Sequence, residues 1–357
     1  MKLFSDAYRG RRVLITGHTG FKGSWLALWL RELGAEVAGI ALDAIQPSHW
    51  HLLALDTADH RQDIRDAARV RVLVESVRPD IVFHLAAQAL VRRSYRDPLE
   101  NWSTNVMGTA NVLEACRHAA SVRAIIAVTT DKVYANRDDG REYREADRLG
   151  GHDPYSASKA ACELLVESYR CAFFGNGGPL LASARGGNVI GGGDWSEDRL
   201  VADAARAIAA GKRLLIRSPN ATRPWQHVLE CLAGYLLLGE KLLEGRHEHA
   251  SAWNFGPDTT DNRTVAEVLE LLRRYWPELS WEQSSEPQPR EARLLSLDHG
   301  KATALLGWRP VWGLDRALEA TGAWYRHFLA RGVANSRAQL AAYVDSARAA
   351  GATWVRA

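Results

Sequence analysis

Residues Val13–Gly23 read VLITGHTGFKG, an apolar run that breaks at Gly17 and resumes as a helical pattern near Ser24. A strand that turns directly into a helix is the first half of a βαβ unit, and such units close into a parallel sheet covered by helices. The glycines stand at Gly17-x-x-Gly20-x-x-Gly23. In that spacing the first permits a tight turn, the second lets backbone approach a pyrophosphate, and the third lets the helix pack closely on the strand. Phosphates then meet the positive end of the helix. A purely structural glycine turn is the competing reading, but the strand before and helix after favour a dinucleotide site.

The pattern continues. Short apolar runs at Arg12–Thr16, Glu36–Leu42, Ile81–Ala86, Ala124–Thr129 and Leu180–Arg185 alternate with helical stretches at Ser24–Leu33, Ala67–Ser76, Pro98–Ala119 and Tyr155–Tyr169. Runs apolar throughout suit strands covered on both faces. The expected fold is therefore α/β, a Rossmann-type doubly wound parallel sheet. From Gly186 onward, Gly- and Pro-rich loops (GGNVIGGGDW, SPNATRPW, FGPDTTDN) separate helices at Leu200–Ala210, Leu229–Leu243, Val265–Tyr275 and Asp315–Leu329. That change predicts a smaller C-terminal α+β substrate-binding domain, with binding groups on its loops. The expected division is 1–186 for the nucleotide domain, with 228–256 returning to it, 187–227 and 257–335 for the substrate domain, and a helical tail over 336–357.

Composition excludes more than it identifies. With 46% hydrophobic and 24% charged residues over 357, the chain reads as globular rather than disordered or fibrous. Its 45 basic and 42 acidic residues are interspersed, which predicts no nucleic-acid partner. Cys116, Cys162, Cys171 and Cys231 include no C-x-x-C pair, so no metal and a reduced environment are expected. The opening MKLFSDAYRGRR lacks the apolar centre of a signal peptide, and no stretch approaches the roughly 18 apolar residues of a membrane span. A soluble, cytoplasmic chain is expected. Trp25 and Trp29, four apart on one helix, read as core.

Asp43 stands about 20 residues past the glycine loop, where an acidic side chain accepts hydrogen bonds from an adenosine ribose. No Lys or Arg lies between Gly34 and His60, which favours NAD over NADP. Tyr155 and Lys159 in DPYSASKAACELL are at i and i+4, on one helix face. A neighbouring ammonium lowers a phenol's pKa and makes it a usable base. TTDKVY at Thr129–Tyr134 follows an expected strand and adds an acid and a second cation.

Taken together, the chain resembles the extended short-chain dehydrogenase/reductases, in particular their nucleotide-sugar 4,6-dehydratases. The glycine loop, HLAAQ at His84–Gln88, Asn105 in NVMGT, TTDKVY, YSASK and RGGNVIGGGDW at Arg185–Trp195 follow the family's order over nearly the whole chain. GHTGFKGSW, TDK in place of the commoner TDE, and RPWQHVLE at Arg223–Glu230 look most like the branch acting on CDP-glucose.

The resemblance implies NAD as cofactor, CDP-glucose as substrate, a place in deoxysugar biosynthesis, and a homodimer through the 98–119 and 155–169 helices, or a homotetramer. It also implies roles. Tyr155 removes the C4 hydroxyl proton as C4 hydride leaves, Thr130 bonds the same oxygen, and Lys159 holds the cofactor ribose. Asp131 is then the acid that protonates the departing C6 hydroxyl, while Lys132 is either the C5 base or a group that stabilises the enolate. Gly17, Thr19, Gly20, Phe21, Lys22, Gly23, Asp43, Asp63, Ile64, Ala86, Ala87, Gln88 and Asn105 join Tyr155 and Lys159 in binding the cofactor. Asn188, Arg199, Arg217, Arg223, His227 and Glu291 reach the substrate, although His227 reads equally well as a core histidine.

Three alternatives stay open: a 4,6-dehydratase acting on another sugar nucleotide, a 4-epimerase, and a silent NAD-binding sensor. An epimerase would share Thr130, Tyr155 and Lys159 but has no use for the Asp131–Lys132 pair. The intact set of reactive residues disfavours the sensor.

Overall fold

The computed structural model of the chain describes residues 2–175, 177–284 and 294–356. Seven strands form one sheet in the spatial order Ala252–Phe255, Leu180–Gly186, Ala124–Val128, Ile81–His84, Arg12–Thr16, Glu36–Ala41, Ala58–Arg61. Every neighbouring pair is parallel. From the central Arg12–Thr16 the chain first runs to one edge and then returns across to the other. The crevice this leaves beside Ile81–His84 is where doubly wound sheets bind ligands.

All five expected strands are present, and three end earlier than expected, at Ala41, His84 and Val128. Side chains alternate between two apolar layers: Val13 and Ile15 pack with Trp25, Trp29 and the helix Val228–Leu243 on one face. Leu14 packs with Ile40, Val82, Val112 and Ile125 on the other. Trp25 and Trp29 are both in the core. Helix Val228–Leu243 is buried along nearly its whole length and leads into the sheet's edge strand, Ala252–Phe255.

Local chemistry accounts for the helices that carry the site. Pro154–Tyr169 opens with Asp153 accepting from the Ser156 N–H at 2.9 Å and with proline in its first turn. Phe21–Glu32 begins at Gly20 with no side-chain cap, leaving its first N–H groups free of side-chain acceptors. The Pro98–Ala119 stretch divides into Pro98–Trp102, a π-helical turn at Ser103–Met107, and Gly108–Arg117.

Beyond the main sheet, Asn188–Ile190, Thr222–His227 and Asn262–Thr264 form a three-stranded sheet, and Leu214–Ile216 pairs with Trp281–Gln283. Helices Leu200–Ala209, Val265–Tyr275 and Leu314–Arg331 complete this region. Ser336–Ala349 follows, and Val355–Arg356 pairs antiparallel with Lys2–Leu3.

Candidate active site

A cavity of about 420 Å³ opens at the C-terminal ends of the central strands. Gly17, Thr19, Gly20, Phe21, Lys22 and Gly23 line one side, with Asp63, Ile64, Ala86, Ala87 and Gln88 beside them and Thr130, Lys132, Tyr155 and Lys159 opposite. The glycines are required there. Gly17 has φ +77°, and a Cβ on Gly23 would lie 2.1 Å from the Gly17 carbonyl oxygen. The resulting bare loop and uncapped helix start fit a diphosphate.

Two of the residues expected to bind the cofactor lie elsewhere. Asp43 does not line the cavity: its side chain is 95% exposed, 3.8 Å from the Arg61 guanidinium. Leu42, Gln62, Asp63 and Arg65 line that end instead. The strand Glu36–Ala41 ends two residues before Asp43, and Arg61 arrives from the next strand. Asn105 is buried behind the cavity. Its Oδ1 accepts from the Gln88 N–H at 2.8 Å, and its Nδ2 donates to the Gln88 carbonyl at 3.1 Å and to Ser158 Oγ at 2.9 Å. It ties the Gln88 loop to the Tyr155 helix.

The reactive groups converge from two elements. Thr130 Oγ1 donates to Asp131 Oδ1 at 2.8 Å, and Lys132 Nζ donates to the same oxygen at 3.3 Å and to Asn188 Oδ1 at 3.4 Å. Asp131 is buried and lines neither this cavity nor the one described below, and its Oδ2 has no hydrogen-bond partner among the described residues. Burial pushes the Tyr155 phenol up to about 12, against the opposing pull of Arg199 and a hydrogen bond with Thr130. The sequence pointed to Lys159 as the group that lowers Tyr155. Its Nζ instead donates to the Val128 carbonyl at 3.1 Å, and burial lowers its own pKa, with Lys22 adding to the effect.

A second cavity, of about 1160 Å³, shares Asn188, Val189, Asp194 and Arg199 with the first and adds Arg92, Asp198, Arg217 and Arg223. Asp198 Oδ1 accepts from Arg92 at 3.1 Å and from Arg217 at 2.6 Å. Neither Arg92 nor Asp198 stood out in the sequence, because no motif marks a contact between residues so far apart. His227 lies outside both cavities. It is buried beside Trp25 and Trp312, its Nδ1 accepts from the Leu229 N–H at 3.3 Å, and burial lowers its pKa to about 3. Glu291 lies outside the described residues.

A parallel doubly wound sheet with Tyr-x-x-x-Lys beside its switch-point cavity is the architecture of the extended short-chain dehydrogenase/reductases. The model of one family in that class, GDP-mannose 4,6 dehydratase, matches residues 14–321, and the chain belongs to this family. It is 44% identical over 331 residues to a CDP-glucose 4,6-dehydratase of Salmonella typhimurium, covering 90% of this chain and 92% of the relative. It is 28% identical to a human dTDP-D-glucose 4,6-dehydratase, covering 88% and 90% of the two chains. Among solved structures, a UDP-glucose 4-epimerase of Thermus thermophilus in complex with NAD superposes with a TM-score of 0.78 at 27% identity, covering 88% of this chain and 99% of that one.

Proposed function

We propose that the chain is an NAD-dependent, redox-neutral hydro-lyase that converts CDP-glucose to CDP-4-dehydro-6-deoxyglucose. The observation that carries this reading is the Asp131–Lys132 pair, with Lys132 lining the same cavity as Tyr155 and the Asp131 charge acting on the Tyr155 phenol, an acid and a base that simple oxidation at C4 does not require. The 44% identical relative named for this substrate and reaction supports it.

The glycine loop and the start of helix Phe21–Glu32 would hold the cofactor diphosphate, and Lys159 the nicotinamide ribose. Bound NAD supplies the hydride acceptor for C4, a positive charge while oxidised, and the hydride donor for C6. Tyr155 takes the C4 hydroxyl proton, and Thr130 bonds the same oxygen. The 4-ketone then makes the C5 proton acidic.

The pair provides both partners of the elimination. Moving one proton across the 3.3 Å contact turns the Lys132 ammonium into an amine and the Asp131 carboxylate into an acid without changing net charge. Lys132 then takes the C5 proton while the Asp131 carboxyl passes the proton it received to the leaving C6 hydroxyl. Water departs, Lys132, whose ammonium protons exchange with solvent, protonates C5 as C6 is reduced, and transfer of the proton that Tyr155 took from the C4 hydroxyl to Lys132 through solvent restores the ion pair. Arg223, Arg217 and Arg199 would bind the substrate diphosphate, since guanidinium matches phosphate oxygens with paired hydrogen bonds.

We assign residues 1–186 and 228–256 to cofactor binding, 187–227 and 257–335 to substrate binding, and 336–357 to a helical tail. We further assign a homodimer, formed through the face carrying Leu99, Trp102 and Met107 with Leu164 and Phe173, all exposed apolar residues on the 98–117 and 154–174 segments. Among the described residues no helix is long and apolar enough to cross a membrane. All four cysteines are free thiols, three of them buried, which fits a reducing, cytoplasmic setting. Incubation with CDP-, dTDP-, UDP- and GDP-glucose, read by mass spectrometry, tests the function: water loss is expected with CDP-glucose, and its absence there refutes the substrate.

A further inference from the structure

We propose that the buried Glu163–Arg185 pair is a positioning device that holds the two halves of the active site in register. The inference rests on the proposed dehydratase reaction and assigns a role to residues that reaction does not touch.

Glu163 lies on the helix that carries Tyr155 and Lys159, continuing their four-residue spacing. Its Oε1 accepts from the Thr129 hydroxyl, and its Oε2 accepts from Ser183 Oγ at 2.7 Å and from the Arg185 guanidinium at 2.7 Å. Arg185, on strand Leu180–Gly186, donates its other terminal nitrogen to the Tyr134 phenol oxygen at 2.8 Å and to the Glu145 carbonyl at 3.1 Å. Tyr134 passes the chain on by donating to Asn254 Oδ1 at 2.7 Å.

Thr129 and Tyr134 are the first and last residues of TTDKVY, the segment that presents Thr130, Asp131 and Lys132. Both ends of that hexapeptide are therefore tied to one ion pair, and one member of the pair sits on the Tyr155–Lys159 helix. The base for C4, Tyr155, and the elimination groups, Asp131 and Lys132, come from separate elements, and this network is a direct polar link between them. Glu163 and Arg185 have side chains only 3% and 4% exposed. Burial alone would raise the Glu163 carboxyl, but the Arg185 charge and the hydrogen bonds from Arg185, Thr129 and Ser183 carry it below the ordinary value.

A pair this deep is a poor stability device, because apolar residues of the same volume serve as well or better. What it supplies is geometry, and displacement of reacting groups by about 1 Å can cost about 100-fold in rate. The prediction is a loss of kcat at nearly constant KM.

The test compares wild type with Tyr134→Phe, Glu163→Gln and the charge-neutral double variant Glu163→Gln/Arg185→Gln. Water loss from CDP-glucose is measured alongside thermal unfolding. Tyr134→Phe keeps the ring and removes only the bridging hydroxyl, so it should fold and lose about 10-fold or more in kcat, with KM within about twofold. Glu163→Gln leaves Arg185 uncompensated and should lose both Tm and kcat. The double variant should regain Tm relative to Glu163→Gln without regaining kcat. Recovery of kcat together with Tm, or wild-type kcat in Tyr134→Phe, would overturn the proposal and leave the pair purely structural. Wild type inert on CDP-glucose refutes the substrate instead, and the variants are then compared on the sugar nucleotide that wild type does dehydrate.

Discussion

In the proposed reaction Tyr155, Asp131 and Lys132 take different roles, and they differ in burial and in hydrogen-bond partners. Removing only the ionisable oxygen, Tyr155→Phe should leave folding and cofactor binding intact and lower turnover about 10²–10⁴-fold, measured as the rate of water loss. Asp131→Asn keeps the shape and loses the proton for C6, so C4 oxidation should outrun elimination. Its signature in single turnover is a transient NADH absorbance absent from wild type, and elimination at the normal rate would remove Asp131 from the acid's role. Tyr155, Lys159 and Thr130 were legible because helical spacing and a strand end place them. The charge acting on Tyr155 was not: Arg199 comes from a distant loop, and only the fold brings its charge to bear on the phenol. Asp43 was misplaced for a related reason, since its side chain follows from where its strand ends.

At the scale of elements, the glycine loop is the part whose sequence and shape agree most closely. Gly23→Ala would drive a methyl group into the Gly17 carbonyl 2.1 Å away, so the loop must open. NAD titration monitored by fluorescence should show the affinity lost, while Gly10→Ala, a positive-φ glycine with nothing within 4 Å, should bind NAD normally. Elements without a periodic apolar signal were the ones the sequence hid. Ala58–Arg61 reads ADHR and forms an edge strand with mostly exposed side chains, so it carries no buried-strand pattern. The π-helical turn at Ser103–Met107 changes hydrogen bonding without changing composition, yet it lies where Asn105 turns into the core to hold the Gln88 loop. Val265–Tyr275, by contrast, has the expected boundaries because Thr264 and Glu267 form a capping box.

Across the whole molecule, Glu230 joins three distant parts of the chain. Its carboxylate accepts from the Val311 N–H at 2.9 Å, the Trp312 N–H at 2.7 Å and the Tyr343 hydroxyl at 2.9 Å. Burial outweighs these donors and raises its pKa to about 7. A carboxyl raised on folding is stabilising when protonated, so its contribution is full below the unfolded value and fades as pH rises through about 7. Wild type should lose roughly 3 kcal/mol relative to Glu230→Gln across that window, read from urea unfolding at successive pH values. A constant difference would show that the group does not titrate there.

The central claim is that one hydride leaves C4 and returns to C6 of the same sugar while Asp131 and Lys132 expel water between the two transfers. CDP-glucose deuterated at C4 tests it directly. The product should be CDP-4-dehydro-6-deoxyglucose carrying deuterium at C6 and one solvent proton at C5, with no net NADH. Stoichiometric NADH release, or deuterium lost to solvent rather than kept at C6, would contradict the account.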